Sequence, residues 1–482
     1  MSGSDFKHID ENVGFWSAVA LVAGTSVGMT IFVVPTQMAA LAGPSIVLAI
    51  LASIIPMVFA ILMLLQLGGA IPVAGGVYVY ASRLVGPYWG MIAVSVPALA
   101  VWSYLLFAGI GFSQYFNGVL EPLVGVTLPA TAVIWGLVGS FFVLNYVGIR
   151  MVAKVQIALV LFLLGGLFLF MVGMAPSVDA ANYTPLFPDE LFADSMAPFF
   201  LAIVVLYLPF QGFSIIIELG EEIENPVRNI PRVLAVGMTG VTIVTVTLIV
   251  VLVGAVPWQE TIDPETGEAV EGGLLTVSEG ILPEGAIFVI GLAAMVAGAT
   301  TVNTVITSYS RTVMRASRDE ILPGTLASIH DRFGTPDRAL ILICVPPLVV
   351  APFTDPLGAL LAIELLDWLA VIITVGFFLA FLFGGIALWN LPRVFPTRYE
   401  YSVYKLPMPL LRVTAVVNVI LSILFGAFIA IGAPSALGFV GLWLIVVTAA
   451  YLYRVRAHEK RGEDLRARMA LLHKHEQVGD DD

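Results

Sequence analysis

Twelve apolar runs recur along the chain, near residues 14–40, 44–69, 88–117, 130–147, 152–174, 197–222, 232–256, 284–310, 338–352, 358–389, 409–430 and 436–453. A helix needs ~20 apolar residues to cross a bilayer core. Backbone in lipid must satisfy its own hydrogen bonds, so each run is expected to be a helix. The predicted fold is an all-α polytopic membrane protein with twelve transmembrane helices. The ninth run is short and holds Pro346 and Pro347. Composition points the same way. The 482 residues are 59% hydrophobic and 12% charged, with mean hydropathy +0.98, which excludes the soluble globular classes. The lone cysteine, Cys344, excludes a disulfide within the chain. The first twelve residues are polar and the first apolar run is too long for a signal-peptide core, so no cleaved leader is expected.

Charge orients the spans. Numbering the loops alternately puts Lys7, Arg83, Arg150, Lys154, Arg228, Arg232, the arginines from Arg311 to Arg338, the bases from Arg393 to Arg412 and those of the tail after Tyr453 on one face. All 22 basic residues then share that face. The opposite face holds Glu121, Asp179, Asp189, Glu190, Asp194, Asp355 and the acidic 260–284 loop. Lysine and arginine collect on the cytoplasmic side, so both termini are expected there. The net charge of −12 fits either a salty environment or chance distribution over small loops. His473 and His475 read as part of a solvated tail.

Two spans carry interruptions. In the first, Gly24-Thr25-Ser26-Val27-Gly28 is poor helix in mid-run. In the sixth, Pro209 and Gly212 interrupt the run around Phe210-Gln211-Gly212-Phe213. Each has a plain reading, as a tightly packed helix or a proline kink. Taken together, the breaks lie five helices apart. Interruptions at corresponding places in two halves point to a transporter site built on an inverted repeat, here helices 1–5 and 6–10.

Four motifs resemble one family, the amino acid–polyamine–organocation (APC) permeases. They are GTSVGMTIF in helix 1, PVAGGVYVYASRLVGPYWG from Pro72, FQGF with Glu221-Glu222 and ENPVRNIPR in and after helix 6, and SRTVMRASRDEILPGTLASIHDRFGTPDRA from Ser310. The resemblance covers about residues 13–390. It implies a leucine-transporter-like fold: a tail over 1–12, a ten-helix core over 13–390, helices 11 and 12 over 391–453, and a tail over 454–482. The implied function is secondary active transport of amino acids across the plasma membrane by alternating access. The expected partners are an amino acid and the bilayer, with no nucleic acid. The other readings are a proton-coupled or exchange carrier of amines or polyamines and, from another class, a receptor-like sensor or channel. No enzyme is expected, because HExxH, CxxC, Walker and nucleophile-elbow patterns are missing.

By this resemblance, Thr25, Ser26 and Gly28 offer hydroxyls and backbone donors to the substrate carboxylate at the positive pole of a half-helix. The second break, with Gly212, offers carbonyls to the α-ammonium group. Phe210 or Phe213 closes over the substrate, or else both simply pack. Glu364 and Asp367, i and i+3 on helix 10, attract a cationic side chain, gate the outer vestibule, or lie wet in the headgroup region. Glu218, Glu221 and Glu222 are expected in cytoplasmic ion pairs. Proton-coupled members can carry a lysine inside helix 5; alignment puts Leu163 there, with Lys154 nearer the helix end. Ala297, Thr300 and Thr301 resemble the sodium ligands of the leucine-transporter fold, with Gly24 and Val27 matching its helix-1 carbonyls. Sodium is thus the expected coupling ion, with no other cofactor. The alternative is that the threonines bond back to their own helix.

Overall fold

The computed structural model describes residues 13–71, 73–220, 222–270, 272–361, 365–402, 404–432 and 434–465. These form α1 (Phe15–Val27), α2 (Thr30–Ala42), α3 (Ile46–Ala70), α4 (Gly76–Leu84), α5 (Pro87–Val124), α6 (Ala130–Val147), α7 (Ile149–Met174), α8 (Asp189–Phe192), α9 (Ala197–Leu206) and α10 (Ile215–Glu218). They continue as α11 (Pro226–Ala255), α12 (Leu274–Ser278), α13 (Glu284–Arg318), α14 (Asp337–Val350), α15 (Thr354–Leu361), α16 (Leu365–Val394), α17 (Pro396–Glu400), α18 (Met408–Gly432) and α19 (Pro434–Glu459). Among the described residues the only β structure is two isolated bridges, Val13–Ile223 and Ile262–Ala269.

Ten stretches are long and apolar enough to cross a membrane. The first, Phe15–Ala70, is 56 residues long and folds back on itself. Its corner is Gly43–Ser45, where Gly43 has φ +54°. At 1.5 Å per residue, 56 residues of straight helix would reach ~84 Å, far beyond one ~30 Å bilayer core. The proline-bearing α14 has 14 residues. A 3₁₀ turn at Ala351–Phe353 joins it to α15, so the helical path runs on to Leu361.

The first break lies later than the sequence implies. Gly24 to Val27 remain helical, and the chain turns at Gly28 and Met29. Thr25 helps to hold that last turn, its Oγ1 donating to Leu21 O at 2.7 Å. Gly28 has φ +45° and ψ −169°, a region essentially confined to glycine. The second break is tightened rather than unwound. After α9, residues Leu208–Ser214 form a 3₁₀ helix that leads into α10. Pro209 opens it, where a missing N–H costs nothing.

The two breaks touch. A Cβ on Gly212 would overlap the backbone of Thr25 and Ser26. Only glycine lets these chains cross so closely, and that crossing organises the centre of the molecule. At one end of the bundle, loops far apart in sequence are tied by arginines. Arg83 meets Asp319, Arg311 meets Glu222, and Arg454 donates to Leu322 O at 3.0 Å. Val13 pairs with the segment after α10, its N–H donating to Glu222 O at 2.9 Å.

Candidate functional site

A cavity of about 1850 Å³ runs along the crossing of the two breaks. Thr25, Ser26, Gly28, Gly212 and Thr301 line it, as do Met29 and Thr30 of the first turn of α2. The early N–H groups of a helix have no carbonyl within it to bond. The start of α2 therefore presents donors and a partial positive charge to the cavity. Ser26 is buried, and its hydroxyl contacts Met238 Sδ at 3.7 Å.

Phe210 and Phe213 are fully buried and do not line the cavity. Phe213 packs on Phe381, with ring centroids 5.9 Å apart. The rings that do face the cavity come from other helices, among them Tyr104 and Phe107 of α5, Tyr309 of α13, and Phe377 and Phe381 of α16. Glu364 lies outside the described residues. Asp367 lies on α16, and its side chain is outside them as well.

Four of the five expected cation ligands converge between α1 and α13. Thr300 Oγ1 lies 3.0 Å from Gly24 O and 2.7 Å from Ala297 O. Thr301 Oγ1 lies 3.5 Å from Gly24 O and 3.2 Å from Ala297 O. The back-bonding alternative is thus also present, since both hydroxyls reach Ala297 O in their own helix. Val27 O is approached by Thr30 Oγ1 at 3.4 Å. The converging set is neutral oxygen throughout, the donor chemistry of a hard cation rather than of a soft metal. A Cβ on Gly24 would overlap Gln156 and press on Val160, so this carbonyl cradle exists only because residue 24 has no side chain.

Those two α7 residues had not been singled out in the sequence. Gln156 and Val160 lie against Gly24, while Leu163 is buried farther along and Lys154 is exposed. Gln156 ends a chain of buried amides. Thr307 Oγ1 donates to Asn145 Oδ1 at 2.6 Å, Asn145 Nδ2 to Asn303 Oδ1 at 3.1 Å, and Asn303 Nδ2 to Gln156 Oε1 at 2.9 Å. Gln156 Nε2 then meets no acceptor among the described residues. Polar amides inside apolar runs were the available signal, because such groups are costly there unless they have work to do.

Of the three glutamates after the second break, Glu222 pairs with Arg311 at 2.6 Å, Glu221 lies outside the described residues, and Glu218 lines the cavity. The cavity wall carries four carboxylates, Glu218, Glu268, Glu279 and Glu284. Its described lining contains no lysine, arginine or histidine.

The family profile described as amino acid permease matches residues 13–452. The branched-chain amino acid permease BcaP of Bacillus subtilis is 24% identical over 483 residues, covering 94% of this chain and 95% of its own. BcaP of Lactococcus lactis is 24% identical over 424 residues, covering 83% and 86%. The methylthioribose transporter of Bacillus subtilis is 22% identical over 476 residues, covering 94% and 95%.

Proposed function

The chain belongs to the amino acid permease family of the APC superfamily, and from that premise we propose that it is a sodium-coupled symporter of amino acids in the plasma membrane. It crosses the bilayer twelve times with both termini in the cytoplasm. Helices 1–5 and 6–10 form two inverted repeats that alternate access to a central site. The observation that carries this reading is the crossing of two broken helices inside one cavity, at Gly212 and Ser26. The substrate carboxylate sits at the start of α2, against Gly28, Met29 and the Ser26 hydroxyl. Carbonyls of the 208–214 turn receive the α-ammonium group. Sodium lies between Gly24 O, Ala297 O, Thr300 Oγ1 and Thr301 Oγ1, with Val27 O completing the set. Its binding ties α1 to α13, and so makes the shape of the carboxylate pole depend on the ion.

The BcaP relatives, named for branched-chain amino acids, favour an aliphatic side chain in the apolar part of the wall. The four carboxylates favour a second reading, in which the substrate is an amine or a basic amino acid. Uptake of a labelled amino acid and amine panel into proteoliposomes, with sodium and proton gradients imposed separately, decides between them. Accumulation against a gradient would also exclude a channel or a receptor-like sensor. Uptake indifferent to sodium would refute the coupling.

A further inference from the structure

We propose that Glu218 is a proton site of the transport cycle, protonated while the inner end of the cavity is closed and deprotonated towards the cytoplasm when it opens. The inference rests on the transporter reading and is independent of the sodium site.

Glu218 is the last residue of α10, just past the second break, and it lines the same cavity as Ser26 and Gly28. Its Oε2 is sealed from solvent and has no hydrogen-bond partner among the described residues. The Ser308 and Thr312 hydroxyls, on the same wall, are its side-chain neighbours. Every base nearby is engaged elsewhere. On α13, Arg311 is held by Glu222, Arg315 acts on Asp319, and the Tyr309 hydroxyl donates to Val94 O. On α4, Arg83 grips both oxygens of Asp319, and Tyr78 donates to Asp319 at 2.7 Å. On α11, Arg232 lies over the Phe15 ring, and Arg228 begins the helix. Neither α1 nor the 208–214 turn contains a titratable residue. On the connection after α10, Glu222 is paired and Glu224 borders Gly14. Arg83, Arg311 and Arg315 thus serve two carboxylates, Asp319 and Glu222.

An ionised carboxylate with Oε2 buried and only the Ser308 and Thr312 hydroxyls beside it is disfavoured and favours taking up a cation. A metal ion or an ammonium group needs room and several oxygens. Beyond the carboxylate itself, the side-chain oxygens beside it are two hydroxyls, those of Ser308 and Thr312. A proton needs neither. The cavity joins the Glu268–Glu284 loop at one end to Gly75, Val77 and Tyr78 at the other, with Glu218 at that second end. When water enters there from the cytoplasm, the carboxyl O–H bond breaks and the proton leaves on water. When the outer side opens, water in the cavity returns one proton to the carboxylate. One proton enters from outside and one leaves inside per cycle, and the group is regenerated.

Two measurements test this. With sodium gradients fixed, substrate uptake into right-side-out proteoliposomes holding a pH dye should acidify the lumen. An alkaline lumen should speed uptake several-fold. In Glu218→Gln, sodium-driven uptake should persist with no acidification and no dependence on lumenal pH; Glu218→Asp should keep both. Sodium-driven wild-type uptake without acidification overturns the proton site and leaves the transporter reading standing. So does a Glu218→Gln protein that loses only basic substrates, because the carboxylate would then serve the substrate. The second measurement needs no transport. Infrared spectra of the purified protein at neutral pH should show a protonated-carboxyl band that Glu218→Gln lacks and Glu218→Asp shifts. A wild type without that band overturns the proposal.

Discussion

Gly28 stands between the substrate pole and the cation set. A Cβ there would lie 2.8 Å from Thr301 Oγ1 and 3.3 Å from Thr25 O, on a backbone with φ +45°. The strain alone costs ~1–3 kcal/mol. Gly28→Ala is therefore expected to weaken substrate and sodium together, which paired uptake titrations would read as a rise in both half-saturation values. Ser26→Ala removes one hydroxyl and should lower substrate affinity by about fivefold at most, at ~1 kcal/mol per net hydrogen bond. It should leave the sodium requirement unchanged. Thr300→Ala and Thr301→Ala should raise the sodium requirement before altering selectivity; unchanged sodium titrations in both would remove them from the site. The threonine pair was legible in sequence because i, i+3 and i+4 on a helix share one face. The two phenylalanines were not. In a 3₁₀ turn residues i and i+3 eclipse, so Phe210 and Phe213 fall on one side together. That side is the core, beside Phe381. Gln156 went unread because its role depends on which neighbour crosses α7, and that is a tertiary fact.

Elements are joined at one end of the bundle by two buried ion pairs, which fix α10 to α13 and α4 to the end of α13. Arg311 Nε reaches Glu222 Oε1 at 2.6 Å and Arg83 Nη1 reaches Asp319 Oδ2 at 2.6 Å, all with almost no exposure. Removing one partner strands a charge, at ~3–5 kcal/mol, whereas removing both can be nearly neutral. Arg311→Met should lower the melting temperature sharply, and adding Glu222→Leu should restore much of the loss; no rescue in the double variant would show that the pair does not act as a unit. Acid tests the other pair. Burial opposes ionisation of Asp319, but Arg83 and then Arg315 outweigh it and hold the carboxyl below the usual carboxylate range. A lowered folded value means stability that is present above the unfolded value of ~3.9 and lost as pH falls through the folded one. The stability gap between wild type and Asp319→Asn should therefore close in strong acid, and a gap constant with pH would contradict the pairing. The presence of both breaks could be read from glycine and proline. Their extent could not, since hydrogen bonds such as Thr25 Oγ1 to Leu21 O decide how far each helix continues.

At the scale of the whole molecule, the alternation of basic and acidic loops carried more topological information than the apolar runs did. Run lengths alone merge α1 to α3 into one stretch and leave α14 short. The loops that alternation assigns to one face do meet in the fold: Arg83 with Asp319, Arg311 with Glu222, and Arg454 with the segment after α13. Loops assigned to the other face also meet, since Asp179 N–H donates to Gly254 O and the Tyr115 hydroxyl to Gly272 O. These contacts are the ones that a basic and an acidic end would make, and the basic end should face the cytoplasm. Cysteine labelling on intact cells decides it. Cys344 is buried and is first replaced by alanine, leaving no native thiol. Glu265→Cys then reports the acidic end and Lys460→Cys the basic end, both at exposed positions. An impermeant thiol reagent should label position 265 in intact cells and position 460 only after lysis. Equal labelling of the two before lysis would require an even number of crossings between them, and the twelve-helix arrangement, with its paired repeats and its inward-facing Glu218, would fall with it.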